Sequence, residues 1–167
     1  ASSLRGAVSD RVLDDALARA QAVADPRFRL EIVKVADSYK AVKGLIAGDE
    51  IVDRKKATFI PLFDGPAHDG HFFAAYFFPV SRRLHVVDTA PHYTSREAVD
   101  YWIGVLDPAA VRYERIPSCG SRGCAGDVVI DFCRACRVTH PPVDLAALQF
   151  WSQQGVPVDW FVSGADT

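Results

Sequence analysis

The amino-acid sequence predicts an α+β domain in which a central mixed or antiparallel sheet is flanked by helices. Its clearest segment is residues 70–88 (GHFFAAYFFPVSRRLHVVD), where two runs rich in aromatic and β-branched residues flank the polar turn at residues 81–83. Such a pattern predicts a β-hairpin. A shorter apolar run at residues 57–63 (ATFIPLF) predicts a further strand, and Pro61 within it indicates that this strand lies near an edge or bends. Helical spacing of apolar residues on both sides supplies the α component.

The composition excludes several classes of protein. With 167 residues, of which 49% are hydrophobic and 24% charged, the chain can bury the core of one domain over residues 1–167. A net charge of −2, with 19 scattered Lys and Arg, gives no basic field for nucleic acid. No apolar run is long enough for a membrane span, so we expect no membrane partner. Because methionine is absent even at position 1, we expect a domain excised from a longer polypeptide.

The remaining elements follow from periodicity and end signals. Helical spacing predicts four helices, at residues 10–25, 95–106, 127–138 and 143–154. Ser9 and Ser95 are the expected N-caps of the first two. Residues 28–35 fit either a strand or the start of a helix that continues to residue 42, with Gly48 as the helix stop. Residues 111–116 alternate well enough to predict one more strand.

One end of the predicted hairpin carries both a histidine and an aspartate. His71 opens its first strand and Asp88 closes its second, so antiparallel pairing brings both side chains to one edge of the sheet. A carboxylate there can hold the imidazole in one tautomer, which is how a general base is oriented. The plainer interpretation is a structural histidine beside an aspartate that caps the loop before Thr89. For catalysis, the pair needs a nucleophile.

The cysteines are the candidates for that nucleophile. All four lie in one short segment, at Cys119, Cys124, Cys133 and Cys136. Since none connects remote parts of the chain, we expect a reducing compartment, cytoplasmic or nuclear, with free thiols at least in part. Cys124 directly precedes the apolar helix, whose unpaired amides and dipole would stabilise a thiolate and help form an oxyanion hole. Cys119 is the second candidate, and Cys133 and Cys136 are predicted to be buried core thiols.

The order of these features resembles the ubiquitin-like-protein-specific (SUMO) proteases and the related adenovirus-type cysteine proteases. The shared features are the run FIPLF, His71 followed by an aromatic residue, Asp88 placed 17 residues after His71, and a cysteine opening a helix. The resemblance implies a papain-like fold and a triad of Cys124, His71 and Asp88. It also implies cleavage of peptide or isopeptide bonds after glycine, without a cofactor. The protein substrate would be a ubiquitin-like modifier or a polyprotein, which includes a viral polyprotein in an infected cell.

The sequence departs from this family at four positions. Phe72 replaces the family's tryptophan, and Gly123-Cys124-Ala125 replaces Asp-Cys-Gly. The family's oxyanion glutamine falls on Ser118, and no Gln or Asn lies between Asp88 and Cys136. Ser118 is therefore the first candidate for the side-chain donor of the oxyanion hole, with Ser121 as the alternative, in addition to the backbone amides of the turn.

Two other interpretations use the same segment. Cys133-x-x-Cys136 has the spacing of a zinc knuckle, and Cys119, Cys124 and His140 can complete a tetrahedral site. Against zinc, the pair falls within a predicted helix and not in a knuckle turn. The third class is a catalytically inactive, protease-like binding module, an alternative that the missing glutamine leaves open.

Overall fold

The computed structural model describes residues 10–64, 71–90, 96–117 and 125–137. Within these ranges one mixed sheet is packed between helices, which confirms the α+β prediction. The strands are β1 (Glu31–Ile32), β2 (Thr58–Asp64), β3 (His71–Phe78), β4 (Arg83–Asp88) and β5 (Ala110–Arg115). The helices are α1 (Asp10–Ala22), α2 (Val35–Val42), α3 (Arg96–Leu106) and α4 (Ala125–Ala135), with 3-10 turns at Pro26–Phe28 and Gly48–Glu50.

The sheet has the order β1-β2-β3-β4-β5. Strands β2, β3 and β4 are antiparallel, whereas β1 and β5 run parallel to their neighbours. The predicted hairpin is β3–β4, with Phe78 opposite Arg83. Its first strand ends at Phe78 and not at residue 80 as the sequence suggested, because Pro79 brings no N–H to the ladder and Val80 is fully exposed in the turn.

Pro61 lies in β2, the second strand, at a place where β1 has already ended. The carbonyls of Ala57 and Phe59 accept hydrogen bonds from β1, the last of them from the N–H of Val33. Because backbone direction alternates along a strand, the nitrogen of Pro61 faces the same side. The next bond of the parallel ladder would run from residue 61 to the carbonyl of Val33, and since proline has no N–H, the pairing with β1 ends there.

Two hydrophobic cores lie on opposite faces of the sheet. We call them the α4 face, packed under α1 and α4, and the α3 face, packed under α3. Alternate residues of β3 point into each of the two cores, so the strand is buried on both sides. Its sequence is therefore an almost continuous apolar and aromatic run. The α4 face contains Leu13, Leu17, Phe59, Phe72, Tyr76 and Phe132, and the α3 face contains Ile60, Leu62, Phe73, Phe77, Val86 and Trp102.

The segment that fits either a strand or a helix contains both. Glu31–Ile32 is a two-residue strand, and α2 begins three residues later. The predicted stop at Gly48 is wrong, because α2 ends at Val42 and Gly44 takes the left-handed conformation, with φ 79°. The N–H of Leu45 donates to the carbonyl of Lys40 at 2.8 Å, the closing bond of a Schellman motif.

Two predicted segments, the turn at residues 118–124 and the helix at residues 143–154, lie outside the described residues. None of the helices in the described ranges is both long enough and apolar enough to cross a bilayer.

Candidate active site

His71 and Asp88 meet at the end of the sheet where β3 begins and β4 ends. Ala74 pairs with Val87, so Asp88 lies opposite Phe73 and His71 is its diagonal neighbour. By alternation both side chains point to the α3 face. His71 Nε2 lies 2.5 Å from Asp88 Oδ1. The structure thus brings together the two residues that the hairpin pattern singled out.

The carboxylate of Asp88 is held firmly by its surroundings. The residue is only 2% exposed, and its Oδ1 also accepts a hydrogen bond from the N–H of Ala90 at 3.0 Å. A buried carboxylate needs such partners, since desolvation alone would disfavour its charge. The loop-capping interpretation of Asp88 is therefore correct as well, and it coexists with the histidine contact.

The imidazole of His71 is fixed in orientation. Its side chain is 15% exposed and its ring stacks on Phe73, with centroids 6.2 Å apart and 16° between the planes. Because Nε2 faces the carboxylate, a catalytic role would require Nδ1 to exchange the proton with a reactant. Pairing of one nitrogen with a carboxylate while the other serves chemistry is the arrangement of an oriented general base.

Asp64 is a third polar residue at this edge, and the sequence did not single it out. It pairs directly with His71 across β2 and β3. Beside it lies a cavity of about 30 Å³, whose lining includes Ser38, Leu62 and Ala98. The Ser38 hydroxyl is buried, and no hydrogen-bond partner for it occurs in the described part of the chain. The cavity is large enough for one water molecule.

Helix α4 starts at the same end of the sheet. The amide of Ile116 donates to the carbonyl of Asp88, and α4 begins nine residues further along the chain. Midway along the helix, Asp131 accepts a hydrogen bond from Tyr76 in the middle of β3. Just after the helix, the carbonyl of Cys136 accepts a hydrogen bond from the N–H of Asp25. Asp25 lies in the connection between α1 and β1, and β1 begins at the end of the sheet opposite to His71. These contacts orient the first turn of α4 toward the His71 end.

The candidate nucleophile directly precedes this helix start in the sequence. Ala125, the first residue of α4, is 1% exposed. Cys124 directly precedes it in the chain and, together with Cys119 and Ser118, lies outside the described residues. Of the four predicted catalytic residues, the structure therefore places His71 and Asp88 in contact and does not describe the other two.

Cys133 and Cys136 are free thiols buried in the α4 face, as predicted. Burial raises the pKa of Cys133 to about 12 and that of Cys136 to about 11, so both stay protonated at neutral pH. No group of three His, Cys, Asp or Glu side chains suited to a metal occurs among the described residues. Three of the five proposed zinc ligands, Cys119, Cys124 and His140, fall outside those residues.

No protein-family model matches the chain, and no curated protein matches it significantly.

Proposed function

We propose that this protein is a thiol protease with a papain-like arrangement, in which Cys124, His71 and Asp88 act together. The observation that carries the proposal is the buried contact of 2.5 Å between His71 Nε2 and Asp88 Oδ1, at the sheet end toward which α4 starts. A cysteine preceding α4 would gain thiolate character from the helix dipole and from the imidazolium of His71.

The mechanism follows from these roles. His71 takes the proton of the Cys124 thiol, and Asp88 stabilises and orients the imidazolium that results. The thiolate then attacks the carbonyl carbon of a peptide or isopeptide bond, and His71 returns the proton to the leaving amine. Water, deprotonated by His71, hydrolyses the thioacyl-enzyme and regenerates the thiol. No cofactor takes part.

The oxyanion hole must be built from what the turn before α4 offers. In the proposed mechanism its donors are the backbone amides next to Cys124 and the hydroxyl of Ser118, which stands where related proteases have glutamine. The proposed substrate is a ubiquitin-like modifier or a polyprotein cleaved after glycine, an expectation that rests on the sequence resemblance alone.

The test is cleavage of a fluorogenic peptide ending in Gly-Gly and of a carboxyl-extended ubiquitin-like protein. Cys124→Ala should abolish turnover, and His71→Gln should cost roughly 10⁴-fold or more in kcat, because triad members act as a unit. Asp88→Asn should be milder than either, since orientation is lost but the base remains. Ser118→Ala should cost about a hundredfold in kcat with KM nearly unchanged if the serine is a donor.

Cys119→Ala is the matched control, since it removes a cysteine from the same turn. Full activity in Cys119→Ala combined with none in Cys124→Ala supports the assignment, and the reverse pattern moves the nucleophile to Cys119. A wild-type protein without turnover, whose thiols are all inert to iodoacetamide, would instead indicate a non-catalytic binding module. Protection of the thiols by zinc would indicate the metal site.

A further inference from the structure

A second polar cluster lies on the opposite face of the sheet from His71 and Asp88. It comprises Tyr76 of β3, His85 of β4, Glu114 of β5 and Asp131 of α4. Tyr76 and His85 are directly opposed across the hairpin, with ring centroids 6.2 Å apart. The cluster thus joins three neighbouring strands to the helix that follows Cys124.

Its central contact is between Tyr76 and Asp131. Tyr76 is 3% exposed, with its ring edge-on to Phe59 in the α4 face. Its hydroxyl donates to Asp131 Oδ2, the direct polar link from the sheet to the middle of α4. Because the ring is held by packing, this hydrogen bond connects a defined point of β3 to the middle of α4.

The second contact brings a histidine and another carboxylate to the same place. His85 Nε2 lies 2.8 Å from Glu114 Oε1, a close contact without the alignment of a hydrogen bond. The groups that act on Asp131 are Tyr76 from β3, His85 from β4, Glu114 from β5 and Arg134 from α4 itself. Asp131 and His85 are half-buried, whereas Glu114 and Arg134 are exposed at the rim of the cluster.

The surroundings of the cluster raise the pKa values of both Asp131 and Tyr76. Burial raises the pKa of Asp131, and the nearby charge of Glu114 raises it further, whereas the Tyr76 hydrogen bond, Arg134 and His85 lower it in part. Burial and the charge of Asp131 raise the pKa of Tyr76 well above its usual value, so its hydroxyl stays a donor. Asp131 therefore binds a proton more tightly in the folded than in the unfolded chain.

We propose that Tyr76, His85, Glu114 and Asp131 form a proton-dependent clamp that positions α4 on the sheet, and with it the approach of Cys124 to His71. All four are positioning residues, because they act through the helix and touch no reacting atom. The clamp itself is independent of the proposed protease activity, and only its effect on Cys124 rests on that function.

The first test is the pH dependence of stability in Asp131→Asn. In the wild type, the raised pKa makes stability fall as pH rises from the ordinary aspartate range through the folded-state pKa. Asparagine keeps an acceptor for Tyr76 but carries no charge, so that loss disappears. The folding equilibrium constant of the variant, relative to wild type, should rise several-fold between pH 4 and pH 7 in urea titrations. A ratio that does not change with pH overturns the proposal.

The second test is amide hydrogen exchange in Tyr76→Phe, which leaves the ring and deletes the hydroxyl. Exchange of α4 amides at pH 7 should accelerate roughly tenfold or more relative to α3 amides, because the buried carboxylate loses its donor. Tyr101→Phe is the matched control, since the Tyr101 hydroxyl accepts a bond from Gly48 N–H on the α3 side. If both variants accelerate α3 and α4 equally, α4 has no specific clamp.

The third test connects the clamp to chemistry. If α4 carries the nucleophile, Tyr76→Phe should lower kcat about tenfold while KM changes little, and the activity of Asp131→Asn should depend on pH differently from wild type. Unchanged kcat and pH profile in both variants would refute the link to Cys124. If the wild type has no protease activity, the proposed function fails, while stability and exchange still decide the clamp.

Discussion

Asp88 illustrates what a buried charge requires at the level of one residue. Its carboxylate is almost fully shielded from water and meets both the imidazole of His71 and the amide of Ala90. Removing one partner from a buried charge costs about 3–5 kcal/mol in folded proteins. Loss of activity on substituting His71 therefore has to be compared with the free energy of unfolding of the same variant, and glutamine is a better replacement than alanine because it keeps a donor.

Thiol reactivity can be predicted for the two described cysteines. With pKa values of about 12 and about 11, Cys133 and Cys136 are thiolates in about one molecule in ten thousand and one in a thousand at pH 8. We expect iodoacetamide to leave both unmodified in the native protein and to label them rapidly in urea. Peptide mass spectrometry over time measures this difference, and rapid native labelling of Cys133 would contradict the burial described above.

Among the elements, the sequence predicted those with a long periodic pattern of apolar residues and did not predict the short ones. The hairpin and α3 were predicted closely, because each carries a long regular pattern. The two-residue β1 is below the length at which alternation can be seen. Gly44 and Gly48 both follow an apolar stretch, and only the backbone shows that Gly44 has the positive φ that ends α2.

The candidate site likewise contains residues that a local pattern revealed and residues that it did not. His71 and Asp88 were predictable because a single hairpin carries both, and their separation along the chain matches its turn. Asp64 was missed, because its pairing with His71 depends on the register of β2 against β3. The contact between Tyr76 and Asp131 joins residues 55 positions apart, and no local pattern in the sequence encodes it.

The packing of α3 against the 3-10 turn Gly48–Glu50 predicts opposite outcomes for two glycines. A Cβ at Gly48 would lie 2.6 Å from the Tyr101 hydroxyl, whereas one at Gly104 within α3 would meet nothing within 4 Å. Gly48→Ala should therefore lower the free energy of unfolding by about 1–3 kcal/mol through overpacking. Gly104→Ala should raise it by about 0.5–1 kcal/mol through helix propensity. Urea titration of both variants measures the difference, and equal stabilities would contradict the close contact at Tyr101.

For the molecule as a whole, both faces of the sheet are covered by a hydrophobic core, and the proposed site lies at one end of the sheet. His71 and Asp88 point to the α3 face, while α4 lies on the other, so a site that joins them must be built around the end of the sheet and not upon either face. A substrate would approach across the strand ends. The clamp of Tyr76, His85, Glu114 and Asp131 lies between the sheet and α4, on the opposite face from the side chains of His71 and Asp88.

The sheet between the two cores makes a prediction about pairs of substitutions. Leu17→Ala acts on the α4 face and Ile60→Val on the α3 face, and the two side chains belong to separate clusters. Their effects on the free energy of unfolding should add to within about 0.5 kcal/mol. Leu17→Ala combined with Leu13→Val, one helical turn away on the same face, should depart from additivity by more than that. Equal coupling in the two pairs, measured by double-mutant cycles, would argue against separate cores.

Additivity of this kind would mean that the sheet keeps the packing energies of the two cores independent of each other. Substitutions on one side would leave the packing energies of the other side unchanged, although all of them lower the same free energy of unfolding. The α3 face could then diverge in sequence, or be redesigned, while the helix beside Cys124 keeps its packing. The contacts of His71 and Asp88, held by the backbone of β3 and β4, would persist through changes in either core that leave the hairpin register intact.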